Sequence, residues 1–459
     1  MEPLITFAAV PHTASSSAVT SLCFVGGRVN DGDIDASTTT TDHNEEKLSV
    51  EVVNDSVEQS SEQFQNNNDN GSASSDGGSS VEDFDAYFGR TSNQNGNHSY
   101  EQSIQRHRQF LQGRLLAICD FSGQALLWDV GRTRVVGQLL LDEPRGPGLA
   151  LRRIMGDSGS DGATRQILYQ TRDPLGIVSL YDIQDEAKLV TEIATHSHTF
   201  CAAAPCHGNA HLVALPDGRA PSQRAAQAVV RDWRVPSSAA PVATFTTTGH
   251  GMLTSLALYS CSSGNNNNLL VCGMEDGSLI FTDWTRLGVT IDASNTSPVS
   301  PSTIISLGTD PVLAVDVSPS PHVNEEQPPS CVCLAGLAGE AHSDSSDQGR
   351  LAIVKTTWRD DTWCSRLRTR LGTATSTPGV AVCRFCPGNG RLFAAGGWDT
   401  RVRIFHRDGR PLTILRGAHD KGIQAVDWAS DAATSGLLAS ASSDGRVSIW
   451  KTYGGSTTT

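Results

Sequence analysis

Three clusters of residues in this sequence have types and spacings that could do chemistry. The first is His196-x-His198-x2-Cys201-x4-Cys206-His207-x3-His211, six potential zinc ligands within sixteen residues. Zinc needs four of them to converge tetrahedrally. The run reads as the first hairpin of a sheet, and strand alternation sends some of these side chains to opposite faces, so no metal is expected. The second is Cys383-x2-Cys386, a spacing seen in zinc and redox sites. It has no second pair, and on an inner strand a buried cysteine acts as a small hydrophobe. The third is His419, Ser440 and Asp444, whose residue types are those of a serine-hydrolase triad. The same three residue types can instead satisfy one another inside a core. Gly146-Pro-Gly148 lacks the following Lys-Ser/Thr and the strand–loop–helix context of a nucleotide loop. No cofactor is expected, and no convergent acid–base site that would make the chain an enzyme.

The elements that would carry these residues repeat. Leu392-Phe-Ala-Ala-Gly-Gly-Trp-Asp-Thr-Arg-Val-Arg-Ile-Phe405 is echoed by Leu437-Leu-Ala-Ser-Ala-Ser-Ser-Asp-Gly-Arg-Val-Ser-Ile-Trp450, with Asp399 and Asp444 45 residues apart. A period of about 40–45 residues built from four short strands marks a β-propeller blade. Asp444-Gly445 is a hairpin turn signal. After it, Val447 and Ile449 face one way while Arg446, Ser448 and Trp450 face the other. Neither copy shows a long amphipathic helix, so the chain reads as all-β.

Composition sets further bounds. The chain has 459 residues and a net charge of −14, which argues against a general nucleic-acid binder. Residues 29–100 hold fifteen acidic residues against Lys47 and Arg90, and so carry −13 of that charge. Too polar to offset the entropy of ordering, this stretch reads as a disordered insertion in the first blade. Within it, Ser79–Phe88 interleaves acids with Phe84, Tyr87 and Phe88; it reads either as a docking motif, with phosphorylation at Ser79 or Ser80, or as plain solvated linker. Eleven cysteines are scattered, the N-terminus has no basic region followed by an apolar core, and nothing approaches 18 consecutive apolar residues. The expectation is reduced thiols inside the cell, in nucleus and cytoplasm, with no secretory signal and no membrane span.

The last repeat resembles the WD-repeat family. Gly417-Ala418-His419 stands for its opening Gly-His and Ile449-Trp450 for its closing Trp. That resemblance implies a hydrogen-bonded structural tetrad of His419, Ser440, Asp444 and Trp450, and a seven-bladed WD40 β-propeller whose residues 3–8 lend the last blade its outer strand. The expected organisation is 1–28 closing strand and start of the first blade, 29–110 acidic insertion, 111–453 the rest of the propeller and 454–459 a tail. Blades two and three are expected at about 148–194 and 198–246, blade five at 308–356, and blades six and seven at 378–415 and 418–453; blade four opens at Gly249-His250 and closes by Asp283.

Ala395–Phe405 with Pro411–Leu415, together with Gly251-Met252-Leu253 and Leu270–Ser278, resembles a narrower group: the ASTRA-associated WD protein of fungi and the animal guanine-nucleotide-binding protein β-subunit-like protein. The resemblance implies a non-enzymatic scaffold, monomeric within a chromatin-linked assembly. Its expected partners are co-chaperone subunits that mature phosphatidylinositol-3-kinase-related kinases, with chromatin-remodelling subunits as further candidates. Trp398, Arg401 and Arg403 are not demanded by the fold and are the candidate partner-binding residues; local packing of Trp398 and solvation of the arginines is the competing reading. The alternatives are a substrate receptor of a cullin-type ubiquitin ligase and a Gβ-like signalling scaffold. Trp398-Asp-Thr-Arg401 carries the letters of a ligase adaptor motif but precedes a strand, and residues 1–17 lack the heptads of a Gβ coiled coil.

Overall fold

In the computed structural model, the residues described are 3, 5–8, 18–25, 114–139, 146–154, 166–172, 175–183, 187–219, 225–260, 268–286, 303–320, 329–339, 350–359, 362–371, 379–387, 390–429 and 436–452. The acidic insertion, with Phe84, Tyr87 and Phe88, lies outside them.

Among the described residues the fold is all-β, with one 3-10 turn at Trp284–Arg286 and no α-helix. In chain order the strands are β1 (Ile5–Ala8), β2 (Val19–Val25), β3 (Leu115–Asp120), β4 (Ala125–Asp129), β5 (Arg134–Gln138), β6 (Gly148–Arg153), β7 (Gln166–Thr171), β8 (Ile177–Asp182) and β9 (Lys188–Ala194). Then follow β10 (Ala204–His207), β11 (Leu212–Pro216), β12 (Ala225–Asp232), β13 (Ala243–Thr248), β14 (Leu253–Tyr259), β15 (Leu269–Met274), β16 (Ser278–Thr282) and β17 (Thr303–Ser306). The remainder are β18 (Val312–Pro319), β19 (Ser330–Leu337), β20 (Leu351–Arg359), β21 (Thr362–Leu371), β22 (Val380–Phe385), β23 (Leu392–Gly397), β24 (Val402–His406), β25 (Pro411–Leu415), β26 (Ile423–Trp428), β27 (Leu437–Ser442) and β28 (Arg446–Lys451).

Seven separate four-stranded sheets were expected; five are present, and eight strands form one continuous sheet in the order β13-β12-β11-β10-β14-β15-β16-β17. The join is a two-residue parallel pairing, Cys206 with Leu258 and His207 with Tyr259. Ser260 N–H extends it by donating to His207 O at 2.8 Å. Gly208 makes this possible: its φ is +92°, and a Cβ there would lie 2.1 Å from Ser260 O. Two boundaries also differ from expectation. The sheet opened by β18 runs to Leu371 rather than ending near 356, and the one opened by β14 takes its outer strand from Thr303–Ser306, beyond Asp283.

Burial grades outward from the innermost strand. Second strands such as β15 and β27 are buried at every position, while outer strands β5, β9 and β25 are largely exposed. Strands clamped between neighbouring sheets need apolar or small side chains on both faces, and Leu437–Ser442 supplies them. The turns are set by Asp-Gly pairs: Gly277 and Gly445 have φ of +82° and +83°, and Asp276 and Asp444 accept the Ser278 and Arg446 N–H at 2.9 and 2.8 Å. The innermost strands β2, β6, β10, β14, β18, β22 and β26 pack in succession, and β26 meets β2 again, which closes a propeller-type ring. At the seam β1 pairs antiparallel with β28, Thr6 opposite Ser448, and their hydroxyls lie 3.0 Å apart. Pairing satisfies an edge that would otherwise be open.

Candidate functional site

The Ser–His–Asp set sits inside the last sheet. Trp450 Nε1–H donates to Ser440 Oγ at 2.8 Å, and His419 Nε2 lies 2.8 Å from the same oxygen. His419 Nδ1 is 3.7 Å from Asp444 Oδ2, an ion-pair distance rather than a hydrogen bond. With Nδ1–H turned to the carboxylate, Nε2 accepts the Ser440 hydroxyl proton; the tautomer follows from these partners. Burial pushes the Asp444 carboxyl up, but His419 and the Asp420 and Arg446 N–H groups outweigh it and hold the pKa at about 2. Ser440 and Trp450 are fully buried and His419 nearly so. No substrate can reach that hydroxyl, so the four residues tie strands together and carry no hydrolase chemistry. The sheet opened by β14 keeps half of the arrangement: His250 Nδ1 meets Asp276 Oδ2 at 2.8 Å, with Cys272 and Thr282 at the other two positions.

The His/Cys run does not converge. Cys201 and Cys206 are buried, His198 and His211 are exposed, and His207 points to Asp316 at 3.7 Å. Among the described residues no group of three or more His, Cys, Asp or Glu is placed to hold a metal ion. Cys383 and Cys386 are buried with free thiols; burial, reinforced by Asp316, pushes Cys383 up to about 12. Neither is a ready nucleophile or ligand.

A cavity of about 590 Å³ occupies the ring centre and its mouth. Part of its wall comes from one repeated position. Six of the seven inner strands, all but β10, carry a register shift, after Val19, Gly148, Leu253, Val312, Val380 and Ile423. Four residues further on stand Cys23, Arg152, Ala257, Asp316, Arg384 and Asp427. Asp316 accepts the Phe385 N–H at 2.7 Å and Asp427 the Phe24 N–H at 2.9 Å, so each aspartate bonds one sheet to the next. Arg384 lies 3.6 Å from Asp316. For Asp316, burial raises the pKa but His207, Arg384 and the Phe385 N–H together bring it below the usual range. For Asp427 burial wins and the pKa is raised, opposed by Arg153 and the Phe24 N–H. Arg152 is brought down to about 9, first by burial and then by the nearby charge of Arg384.

Trp398 opens onto the same cavity. It is 42% exposed, and its ring lies on Gly379, where a Cβ would come within 2.8 Å. The next turn residue but one, Thr400, has φ +68°, a strained conformation for a β-branched side chain. Arg401 is exposed. Arg403 is half-buried and held by Asp399, with Nη1 3.0 Å from Oδ1. The structure therefore places Trp398 and Arg401 at the surface and ties Arg403 inward. Phe121, Phe200, Arg152 and Arg384, which also line the cavity, were not singled out in the sequence; the repeated position on the inner strands was the signal available for the last two.

The family description "WD domain, G-beta repeat" matches residues 409–451. "Guanine nucleotide-binding protein subunit beta-like protein 1" of Mus musculus is 30% identical over 206 residues, 44% of this chain and 50% of that protein. The chain thus spans about half the length of this curated relative. A solved structure, "Crystal Structure of Mitotic Checkpoint Complex", aligns with 74% of this chain and 84% of its own at 14% identity and a TM-score of 0.46, a level at which the likeness carries nothing further. The match at 409–451 and the repeated strand geometry support a WD-repeat protein of propeller type.

Proposed function

We propose that this chain is a non-enzymatic protein scaffold with seven blades, the eight-stranded sheet counting as two. One observation carries the reading: the only catalytic-looking triad among the sequence motifs is sealed inside a blade, while exposed aromatic side chains gather at the ring's mouth beside partly buried arginines. Exposed aromatics and arginines are the residue types that dominate protein interfaces. Within that reading we assign it to an ASTRA-like, chromatin-linked assembly, as a monomeric subunit in nucleus and cytoplasm. There it would act with the co-chaperone that matures phosphatidylinositol-3-kinase-related kinases. The reading rests on the resemblance of Gly251-Met252-Leu253, Leu270–Ser278, Ala395–Phe405 and Pro411–Leu415 to that group.

The test is affinity capture of tagged wild-type protein and of Trp398→Ala/Arg401→Ala from native cells, read by mass spectrometry. Co-chaperone subunits recovered with wild type and depleted with the variant are expected. Recovery of a cullin adaptor or a Gγ-type subunit in their place would overturn the assignment, and equal recovery with both proteins would remove Trp398 and Arg401 from the contact.

A further inference from the structure

The cavity at the ring centre differs in charge from the chain around it. Its walls hold four arginines (152, 153, 172 and 384) and two aspartates (316 and 427), with no lysine and no glutamate. Both aspartates are already engaged, each accepting a backbone N–H of the adjoining sheet, and Asp316 also faces His207 and Arg384. Two of the arginines have no carboxylate within ion-pair distance among the described residues. Arg152 donates to Leu151 O at 3.1 Å, and the Arg172 guanidinium lies 3.6 Å from the centroid of the Phe200 ring. A site with its acids internally bonded and two of its cations without a carboxylate favours an anion. Burial first and the neighbouring charge of Arg384 second bring the Arg152 pKa down, and a bound anion would offset both.

The mouth adds an apolar requirement. The exposed large aromatics among the described residues are Phe121, Phe200 and Trp398, at 53, 67 and 42% exposure. All three line this one cavity, although they come from the β3–β4 turn, the approach to β10 and the β23–β24 turn. Aromatic faces beside guanidinium groups form an interface anchor that takes apolar and anionic groups together. The volume, about 590 Å³, is that of a pocket for side chains or a small ligand, which usually holds about 300–1,000 Å³; a folded domain could insert only a protruding segment.

The geometry points to a docking site for an acidic peptide. An apolar or aromatic side chain of the peptide packs among Phe121, Phe200 and Trp398, and its carboxylates lie against Arg172 and, deeper, Arg152. This rests on the scaffold reading and names the chemistry of one partner segment.

The test uses the full-length chain and a random dodecapeptide display library. The pool enriched on wild type is expected to be rich in Asp and Glu around an aromatic or aliphatic residue. A synthetic member of that pool, labelled with fluorescein and followed by anisotropy, should bind Arg172→Glu at least ten-fold more weakly. Phe200→Ala should weaken it as well, and raising the salt from 50 to 500 mM should weaken it on wild type. Phe200 is exposed enough that its replacement leaves the fold intact, which protects the test if the arginine variant misfolds. A neutral or basic pool, a failure to enrich any, or binding unchanged in Phe200→Ala would overturn the proposal. Failure here is separable from failure of the scaffold reading: native partners captured equally by wild type and by Arg172→Glu/Phe200→Ala would leave the scaffold intact and move the contact elsewhere.

Discussion

Replacing Ser440 by Ala removes one oxygen and strands two buried groups. Ser440 Oγ accepts from Trp450 Nε1 and donates to His419 Nε2, each at 2.8 Å, and both partners are buried, so water cannot substitute. Leaving a buried polar group unsatisfied costs about 1–3 kcal/mol, so losing two of them should cost about 2–4 kcal/mol once the backbone relaxes. Unfolding entropy of about 2.1 cal/mol/K per residue gives roughly 0.6–0.7 kcal/mol per degree for a fold of several hundred residues, so the melting temperature of Ser440→Ala should fall by about 3–6 °C. Differential scanning calorimetry measures this. A second arm isolates the network: in a Trp450→Phe background, which has already lost the indole N–H, the serine substitution should cost about 1 kcal/mol less. A shift under 1 °C, or strict additivity in the double variant, would refute the claim that this serine satisfies both neighbours.

Three other outcomes follow from the same geometry. Because the Asp444 carboxyl is held near 2 in the fold against an ordinary 3.8, its contribution is fully present above pH 4 and is lost as pH falls from about 4 to 2; chemical denaturation across that range should show a slope that Asp444→Asn flattens. Thr400→Gly should stabilise the chain by about 0.5–1 kcal/mol, since relief of about 1–2 kcal/mol of left-handed strain exceeds glycine's added chain entropy of about 0.5–1 kcal/mol; the urea midpoint reads this. At pH 8 iodoacetamide should label exposed Cys364 in the native protein while Cys383, with a thiol pushed to about 12, stays unmodified until denaturant is added, as peptide mass spectrometry would show.

The parts of the fold legible in the sequence are those whose signals are local. Asp444-Gly445 and Asp276-Gly277 announce turns because an aspartate that accepts a nearby N–H and a glycine at positive φ are needed wherever the chain reverses this tightly. Val447, Ser448 and Ile449 are all buried, and their apolar or compact side chains announce a strand covered on both faces. The outer strand Thr362–Leu371 is not legible, although Arg366, Leu367 and Arg368 alternate, because the Asp360-Asp361 sequence before it contains no glycine, asparagine or proline to signal a turn. The merging of two sheets through Cys206 and His207 was beyond reach as well, since it depends on one glycine's approach to a neighbouring strand.

The candidate site divides the same way. Trp398 and Arg401 stood out because the repeat does not need them. Asp427 looks unremarkable in sequence; its partner, the N–H of Phe24, is 403 residues away, and only ring closure brings the two together. Phe121 and Phe200 belong to connections with no common pattern, so nothing in the sequence places them beside Trp398.

Ring closure is also what every functional statement above depends on. Thr6 and Ser448 stand opposite each other in the β1–β28 ladder with their hydroxyls 3.0 Å apart, close enough for a disulfide when both become cysteine. Mild oxidation of the Thr6→Cys/Ser448→Cys protein should join the two introduced thiols, identified by peptide mass spectrometry, and raise the melting temperature above that of the reduced form. Absence of this cross-link in folded protein, with either introduced thiol freely alkylated, would contradict the closed ring and with it the cavity and its docking site.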